Sequence, residues 1–519
     1  MMSSNVHPHA PSLNKDKIIY WSILFLAFIS RFAALSIKPP HADEGVNGFF
    51  VNQLWERGYF VYNPQNYHGP LLFPLFQISE KLFGFGIHSL RAVTALFSLL
   101  TVWVILRTAV LGRHASFFAA VALALSPGMI FFGRSAIHEP VFVFFQVLWM
   151  VGFVKLKERI DRQALVLFSA GLMGCVLLKE TFVIFGFSLL AAWAWTETSP
   201  RILDAIGRKV DSTPRVGSEG VDGRFLLKTG IILICLWLVF FTGFFHNRKG
   251  MTDFFVALIP WLKTGVGGSG HDKPFFYWLN LMGRYEWAAL AGIAGAAAGA
   301  FSRSWKMRAV SFFALVNGLV YSLIPYKTPW CIMNILWPFV LVAGYWFERA
   351  VITSHRKHVP AFLFILCVGA VIIGHSAVVS YRLNAINYTD PHEPYVYVQT
   401  KNDVAMVQEL IRRKIREQAD FHNLKVQVNV KDPWPLPWLF SRLPHAEFGN
   451  QNLPPVAGPD IIFTEISVSD RDLAGSYVRR KIELRDAREP IYVYLKKSVF
   501  EGMDLPGFTS VEMSEEKRS

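Results

Sequence analysis

The residues of this chain that could do chemistry lie in short polar islands between long apolar runs. The first island is His41-Ala42-Asp43-Glu44. Two adjacent carboxylates directly after an apolar segment make poor packing residues, because desolvating them is costly. Further islands are Tyr67-His68-Gly69-Pro70, Arg134 with His138-Glu139, Lys179-Glu180-Thr181, His271-Asp272-Lys273, Arg284-Tyr285-Glu286 and Tyr326-Lys327-Thr328-Pro329-Trp330. A carboxylate can act as a base toward an acceptor hydroxyl or amine. Arginine and lysine can bind the phosphate of a leaving group and take up its developing charge. Carboxylates with histidines, here Asp43, Glu139 and His138, could instead hold a divalent cation such as magnesium or manganese. No glycine-rich phosphate loop and no dinucleotide fingerprint occurs, so ATP and nucleotide-sugars are poor donors, and a lipid head group is the better source of phosphate.

Each island alone also has an ordinary explanation. An Asp-Glu pair caps helices, Lys179-Glu180 can neutralise itself in a tight turn, lone histidines such as His68 are commonly structural, and Tyr326 and Trp330 suit an interfacial aromatic belt. Together these explanations weaken, since several separate turns would have to collect costly groups on one face by coincidence.

That shared face follows from the elements that carry the islands. Of the 519 residues, 52% are hydrophobic and only 17% charged, against about a quarter charged in soluble domains. Eleven apolar spans are predicted, at 18–37, 92–110, 115–132, 140–154, 164–178, 181–195, 226–245, 287–301, 309–324, 331–347 and 360–380. Several fall short of the roughly 20 residues that cross a bilayer and need polar neighbours to reach that length. The expected fold is a polytopic α-helical membrane protein. The net charge of +14 would suggest nucleic acid in a soluble chain. Here the cations alternate between connections, as the positive-inside bias requires when the N-terminus is cytoplasmic, so no nucleic-acid partner is expected. This orientation places the loops 38–91 and 246–284 outside, with the tail after residue 380. The four cysteines all lie in apolar spans without metal-ligand spacing. The first span runs straight into the acidic island without a small-residue cleavage site, and reads as a retained helix.

Three units result: a disordered cytoplasmic stretch 1–16, a membrane body 17–380 and an extracytoplasmic α/β domain 381–519. Within the body, 197–225 reads as a basic cytoplasmic loop and 252–262 as a helix along the interface. In the tail, 401–419 has helical periodicity, and β-like runs occur at 426–430, 460–464, 477–484 and 491–495. Between them, Asp432-Pro433-Trp434-Pro435-Leu436-Pro437-Trp438 is too proline-rich for regular structure.

The ordered set Asp43-Glu44, Tyr67-His68-Gly69-Pro70, Arg134 with His138-Glu139, Lys179-Glu180-Thr181, His271-Asp272-Lys273-Pro274, Lys327-Thr328-Pro329-Trp330 and Trp434-Pro435-Leu436-Pro437-Trp438 resembles the GT-C glycosyltransferases. That superfamily includes the protein O-mannosyltransferases and the lipid A aminoarabinose transferases. More narrowly, the chain is similar to a prokaryotic group of its family 39-like branch, the flippase-activity-associated proteins of archaeal N-glycosylation. The resemblance implies a GT-C fold of about 11 transmembrane helices in the cell membrane. It also implies a polyprenyl-phosphate sugar donor and an extracytoplasmic acceptor, which could be lipid, glycan or protein. It makes Asp43 the catalytic carboxylate, as general base or metal ligand. Glu139 would be the second acid, although many relatives carry an aspartate where this chain has His138-Glu139. Glu44 is a further catalytic candidate, or else a helix-start acid. Arg134 and Lys179 would bind the donor phosphate, with His41, His68, His138, Glu180, His271, Asp272 and Lys327 as other substrate-binding candidates. The narrow group's name points instead to carrier translocation. A transporter needs polar groups near the midplane, and only Arg31 lies well inside a span. A third reading makes the chain a scaffold whose tail domain binds partners.

Overall fold

The computed structural model describes residues 13–66, 68–214, 221–268, 270–355, 358–417, 423–449, 458–466, 473–485 and 490–511. The expected disorder at 1–12, Tyr67 of the second island and part of the 197–225 loop lie outside the described residues. Residues 13–16 are not loop: they open the first helix, α1 (Leu13–Phe32).

Every predicted apolar span coincides with a helix. After α1 these are α4 (Ile87–Thr108), α5 (Arg113–Leu125) with α6 (Pro127–Phe131), α7 (Glu139–Glu158), α8 (Arg162–Val176), α9 (Phe182–Ala205), α10 (Gly223–Phe241), α14 (Trp287–Gly299), α15 (Trp305–Leu323), α16 (Met333–His355) and α17 (Val359–Tyr381). Among the described residues, five helical stretches are long and apolar enough to cross a membrane: Ile87–Thr108, Glu139–Glu158, Gly223–Phe241, Pro329–His355 and Val359–Ile386. α10 and α17 expose Ile231, Ile232, Leu363 and Phe364, an apolar surface suited to lipid rather than water.

The 115–132 span is broken. Ser126 ends α5 and caps α6 by accepting from Met129 N at 3.2 Å, and Pro127 sits in the first helical turn. A break among apolar helices frees backbone groups that must find partners. Arg31 donates to Leu123 O and Ala124 O, each at 2.8 Å. From the other side, Glu286 accepts from Gly128 N at 2.6 Å and Ser126 Oγ at 2.7 Å. Arg31, in the last turn of α1, is therefore consumed in holding a helix end.

The first long loop, 38–91, is largely helical: α2 (Ala42–Arg57) and α3 (Leu72–Phe83) precede α4. In the second, α11 (Gly250–Val256), α12 (Leu258–Val266) and α13 (Tyr277–Tyr285) replace the single interfacial helix expected over 252–262. The 197–225 loop is shorter than expected, since α9 runs to Ala205 and α10 starts at Gly223.

The tail forms α18 (Asn402–Glu417) and a six-stranded sheet of β1 (Lys425–Asn429), β2 (His445–Phe448), β3 (Ile461–Thr464), β4 (Tyr477–Glu483), β5 (Pro490–Lys496) and β6 (Thr509–Ser510). The strand order is β2-β1-β3-β5-β4-β6, with β1 parallel to both neighbours and the remaining pairs antiparallel. Val404, Val407 and Ile411, spaced along one face of α18, pack with Val426, Val428, Phe463 and Val493 of the sheet. The proline-rich run departs from expectation, because Leu436–Phe440 is a short helix, α19. This run docks on α2. A β-carbon at Gly48 would stand 2.4 Å from Trp438 Nε1, and one at Gly45 would stand 2.5 Å from Pro435 Cβ. Only glycine lets the run approach so closely. The tail domain thus rests on the helix that carries the acidic island.

Candidate active site

α2 starts with a capping box. His41 Nδ1 accepts from Asp43 N at 3.0 Å, and Glu44 Oε2 accepts from His41 N at 2.8 Å. His41 Nε2 is left to donate to Tyr397 O at 2.8 Å, tying the helix start to the segment after α17. The two adjacent carboxylates then separate completely. Glu44 points inward and is fully buried. It meets Arg91 Nε at 2.8 Å and Arg91 Nη2 at 2.6 Å, and accepts from Ala136 N at 2.7 Å. Burial alone would raise its pKa, but Arg91 outweighs burial and holds it down at about 2. Every oxygen of Glu44 is committed to structure, so it is not among the catalytic groups that the sequence suggested.

Asp43 points the other way. It is half-buried, and among the described residues its carboxylate makes no hydrogen bond or ion pair. It faces a cavity of about 400 Å³ that also exposes His68, His138, Glu139, Lys179 and Glu180. The last three reach the cavity because α7 begins at Glu139 and the turn between α8 and α9 is only five residues long. That turn is pinned to the 68–71 segment: Gly69 N donates to Leu178 O at 2.9 Å, and Leu71 N to Leu177 O at 3.0 Å. A β-carbon on Gly69 would lie 2.3 Å from Leu177 O. The pinning sets His68 Nδ1 3.2 Å from Glu180 Oε2.

Lys179 Nζ is bonded to Glu139 Oε1, and both side chains are buried. Burial favours loss of the Lys179 proton, but the adjacent carboxylate prevails and keeps the pKa well above the ordinary lysine value. His138 is also buried, and its ring meets the Gly69 backbone; burial, followed by the neighbouring His68 and Lys179, pushes its pKa well down. A neutral His138 results, with Nε2 unpartnered at the cavity. The same cavity has apolar lining as well: Trp261, Leu262 and Val266 come from α12, and Trp330 from the turn before α16. The cavity can therefore meet both a polar, phosphate-bearing group and a lipid chain.

The remaining candidates stand elsewhere. Arg134 does not line this cavity, because its Nη2 donates to Ala33 O at 2.6 Å and Ala34 O at 2.7 Å, closing the end of α1. His41 is the cap described above. His271 Nδ1 bonds Tyr397 Oη at 2.5 Å, and Asp272 accepts from Gly268 N at 2.7 Å. Lys327 Nζ donates to Ile324 O at 2.5 Å and Lys273 O at 3.1 Å. Lys327 thus ties residues 325–327 to 271–273, where Asp272 and Tyr326 form a β-bridge. As for a metal, Glu139 is taken by Lys179, and among the described residues no three His, Cys, Asp or Glu side chains gather closely enough to hold one. Sequence reading missed Asn47 and Asn66 on the cavity wall. Asn47 could have been found, as it lies one turn after Asp43 on a helix; Asn66 gave no signal.

The model of the dolichyl-phosphate-mannose-protein mannosyltransferase family matches residues 67–207, the stretch that carries His68, His138, Glu139, Lys179 and Glu180. ArnT from Cupriavidus metallidurans, in a crystal structure bound to undecaprenyl phosphate, is similar in fold with a TM-score of 0.62 at 13% identity. The match covers 94% of this chain and 99% of that one. The Archaeoglobus fulgidus oligosaccharyltransferase, tethered to an acceptor peptide, gives a TM-score of 0.54 at 12% identity over 84% of this chain and 63% of its own length. No curated protein matches the chain in sequence. The chain has the GT-C fold, with its sheet domain attached to a helical membrane body.

Proposed function

We propose that this chain is an inverting membrane glycosyltransferase that moves a sugar from a polyprenyl-phosphate carrier to an acceptor at the outer face of the cell membrane. The observation that carries this reading is the unpartnered Asp43 carboxylate, which shares one cavity with the Lys179–Glu139 pair and the free Nε2 of His138. An ionisable group that faces a cavity in a membrane protein without a structural partner is a functional candidate by default.

In this reading the acceptor hydroxyl lies against Asp43, which takes its proton as the oxygen attacks the anomeric carbon. The new carbon–oxygen bond forms on the face opposite the bond to phosphate. That bond breaks, and its electron pair leaves with the polyprenyl phosphate. Lys179 faces the departing charge and is already charged and oriented by Glu139, so little reorganisation is needed at the moment of transfer. His138 and Thr181 supply neutral polar contacts, and the α12 wall accompanies the lipid. No step is routed through a metal ion, since among the described residues no ligand set assembles.

The fold is shared with ArnT, whose structure holds undecaprenyl phosphate, which supports a carrier of that chemistry here. A translocation role finds less support, because the buried Arg31, the polar group that the sequence offered for it, is occupied by the carbonyls of α5. The test is transfer in nanodiscs from a radiolabelled polyprenyl-phosphate sugar. Release of polyprenyl phosphate that is lost in Asp43→Asn supports the reading, and full activity in that variant removes Asp43 as the base.

A further inference from the structure

The tail sheet holds a second cavity that the transfer site does not use. The chain leaves β1 for β2 on one side, and leaves β3 for β4 and β5 on the other. Connections that diverge from two adjacent parallel strands open a crevice beyond their carboxyl ends, the place where open α/β sheets bind ligands. At that place lies a cavity of about 1100 Å³, lined by Lys431 and Asp432 after β1 and by Glu465 after β3. Its roof is the segment between α17 and α18, including Tyr397, Val398 and Gln399.

The lining is polar and charge-balanced. Among the described residues, Lys401, Lys431 and Arg485 stand with Asp432, Glu465 and Glu483, a balance that favours neither a polyanion nor a polycation. The groups are also held in place: Arg485 Nη2 meets Asp432 Oδ2 at 2.8 Å, and Lys431 N donates to Glu465 Oε1 at 2.7 Å across the switch point. Oriented carboxylate and guanidinium groups in one crevice suit a ligand with many hydroxyls.

The two cavities share a wall. Tyr397 lines the crevice, and its ring centroid is 6.2 Å from that of Trp330, which lines the Asp43 cavity. The roof is fastened beside α2 by Gln399 Nε2 donating to Pro39 O at 2.9 Å and by His41 Nε2 donating to Tyr397 O. Next to Tyr397, Val398 is held at φ +52°, a left-handed conformation that a β-branched residue rarely adopts and that concentrates at functional segments.

We propose that this crevice binds a saccharide, and that the bound saccharide is the acceptor of the transfer described above; the second clause rests on that reading and the first does not. The test uses the full chain in nanodiscs and three neutral probes, hexasaccharides of mannose, glucose and N-acetylglucosamine, with hexametaphosphate and a lysine peptide as charged controls. At least one hexasaccharide is expected to bind by saturation-transfer NMR, and to bind about tenfold more weakly to the isosteric variants Glu465→Gln and Glu483→Gln. Absence of binding by all three, binding untouched by both variants, or displacement by hexametaphosphate or the lysine peptide overturns the proposal. Hydrolysis of the donor without acceptor reads the Asp43 cavity separately. Saccharide binding without any donor turnover would sink the transferase reading and leave the saccharide site, whereas donor turnover without saccharide binding would do the reverse.

Discussion

Exchanging each member of the acidic island for its amide, Asp43→Asn and Glu44→Gln, should give opposite phenotypes from adjacent positions. Glu44 is fully buried against an equally buried Arg91 and accepts four hydrogen bonds from Arg91, His41 and Ala136. Removing its charge strands the guanidinium in the protein interior, and breaking a buried pair from one side costs about 3–5 kcal/mol. The depressed pKa of Glu44 expresses the same pairing with Arg91. Its folded pKa of about 2 lies below an unfolded value near 4.5, and at about 1.4 kcal/mol per pH unit the difference contributes about 3 kcal/mol. For a depressed carboxylate that stability is fully present above the unfolded pKa and is lost as pH falls from about 4.5 toward 2. Asp43 has no partner to lose, so Asp43→Asn should leave stability within about 0.5 kcal/mol while slowing transfer by about 10²–10⁴-fold. Chemical unfolding in nanodiscs between pH 3 and 7, run beside the transfer assay, measures both. Wild-type stability in Glu44→Gln, or several kcal/mol lost in Asp43→Asn, would refute the division of labour drawn between them.

Lys179→Met leaves the Glu139 carboxylate buried alone and should cost about 3–5 kcal/mol; adding Glu139→Gln should restore most of the stability but not turnover, as a double-mutant cycle of unfolding and transfer would reveal. Glu286 accepts bonds only from neutral donors, and burial raises its pKa to about 7. Its folded state therefore binds the proton more tightly than its unfolded state, so stability falls as pH rises from about 4.5 to about 7. The fall is about 3 kcal/mol at about 1.4 kcal/mol per pH unit, and thermal unfolding of Glu286→Gln should lack this slope. Gly48→Ala drives a methyl group into Trp438 and should cost about 1–3 kcal/mol, with faster proteolysis of the tail domain as the readout; unchanged proteolysis would contradict the docking of the proline-rich run on α2.

The helical body could be read from the sequence because long apolar runs in a membrane leave the backbone few alternatives. The strands of the tail with β-branched faces were equally readable. β2 was not: His445-Ala446-Glu447-Phe448 has little strand character and forms by pairing with β1. α2 and α3 were hidden for another reason, since short helices at an interface mix polar and apolar residues without a strong period. Within the site, the sequence marked Asp43, Lys179 and Glu139, and set Glu44 below Asp43 as a further candidate or a helix-start acid without showing why they differ. What separates them is Arg91, 47 residues away in the chain and at the edge of an apolar span. Arg134 is a phosphate candidate in the sequence through its charge and the family resemblance. Its actual partners, the carbonyls of Ala33 and Ala34, exist only because α1 ends where it does, and backbone acceptors leave no trace in side-chain spacing.

The central claim is that Asp43 activates an acceptor against a polyprenyl-phosphate sugar. Its most direct measurement is anomeric NMR of the product formed from a donor of defined configuration, with wild type and Asp43→Asn compared in the same nanodiscs. The account predicts a glycoside of inverted configuration from the wild type and about 10²–10⁴-fold less from the variant. A product of retained configuration, or equal yields from the two proteins, would contradict it.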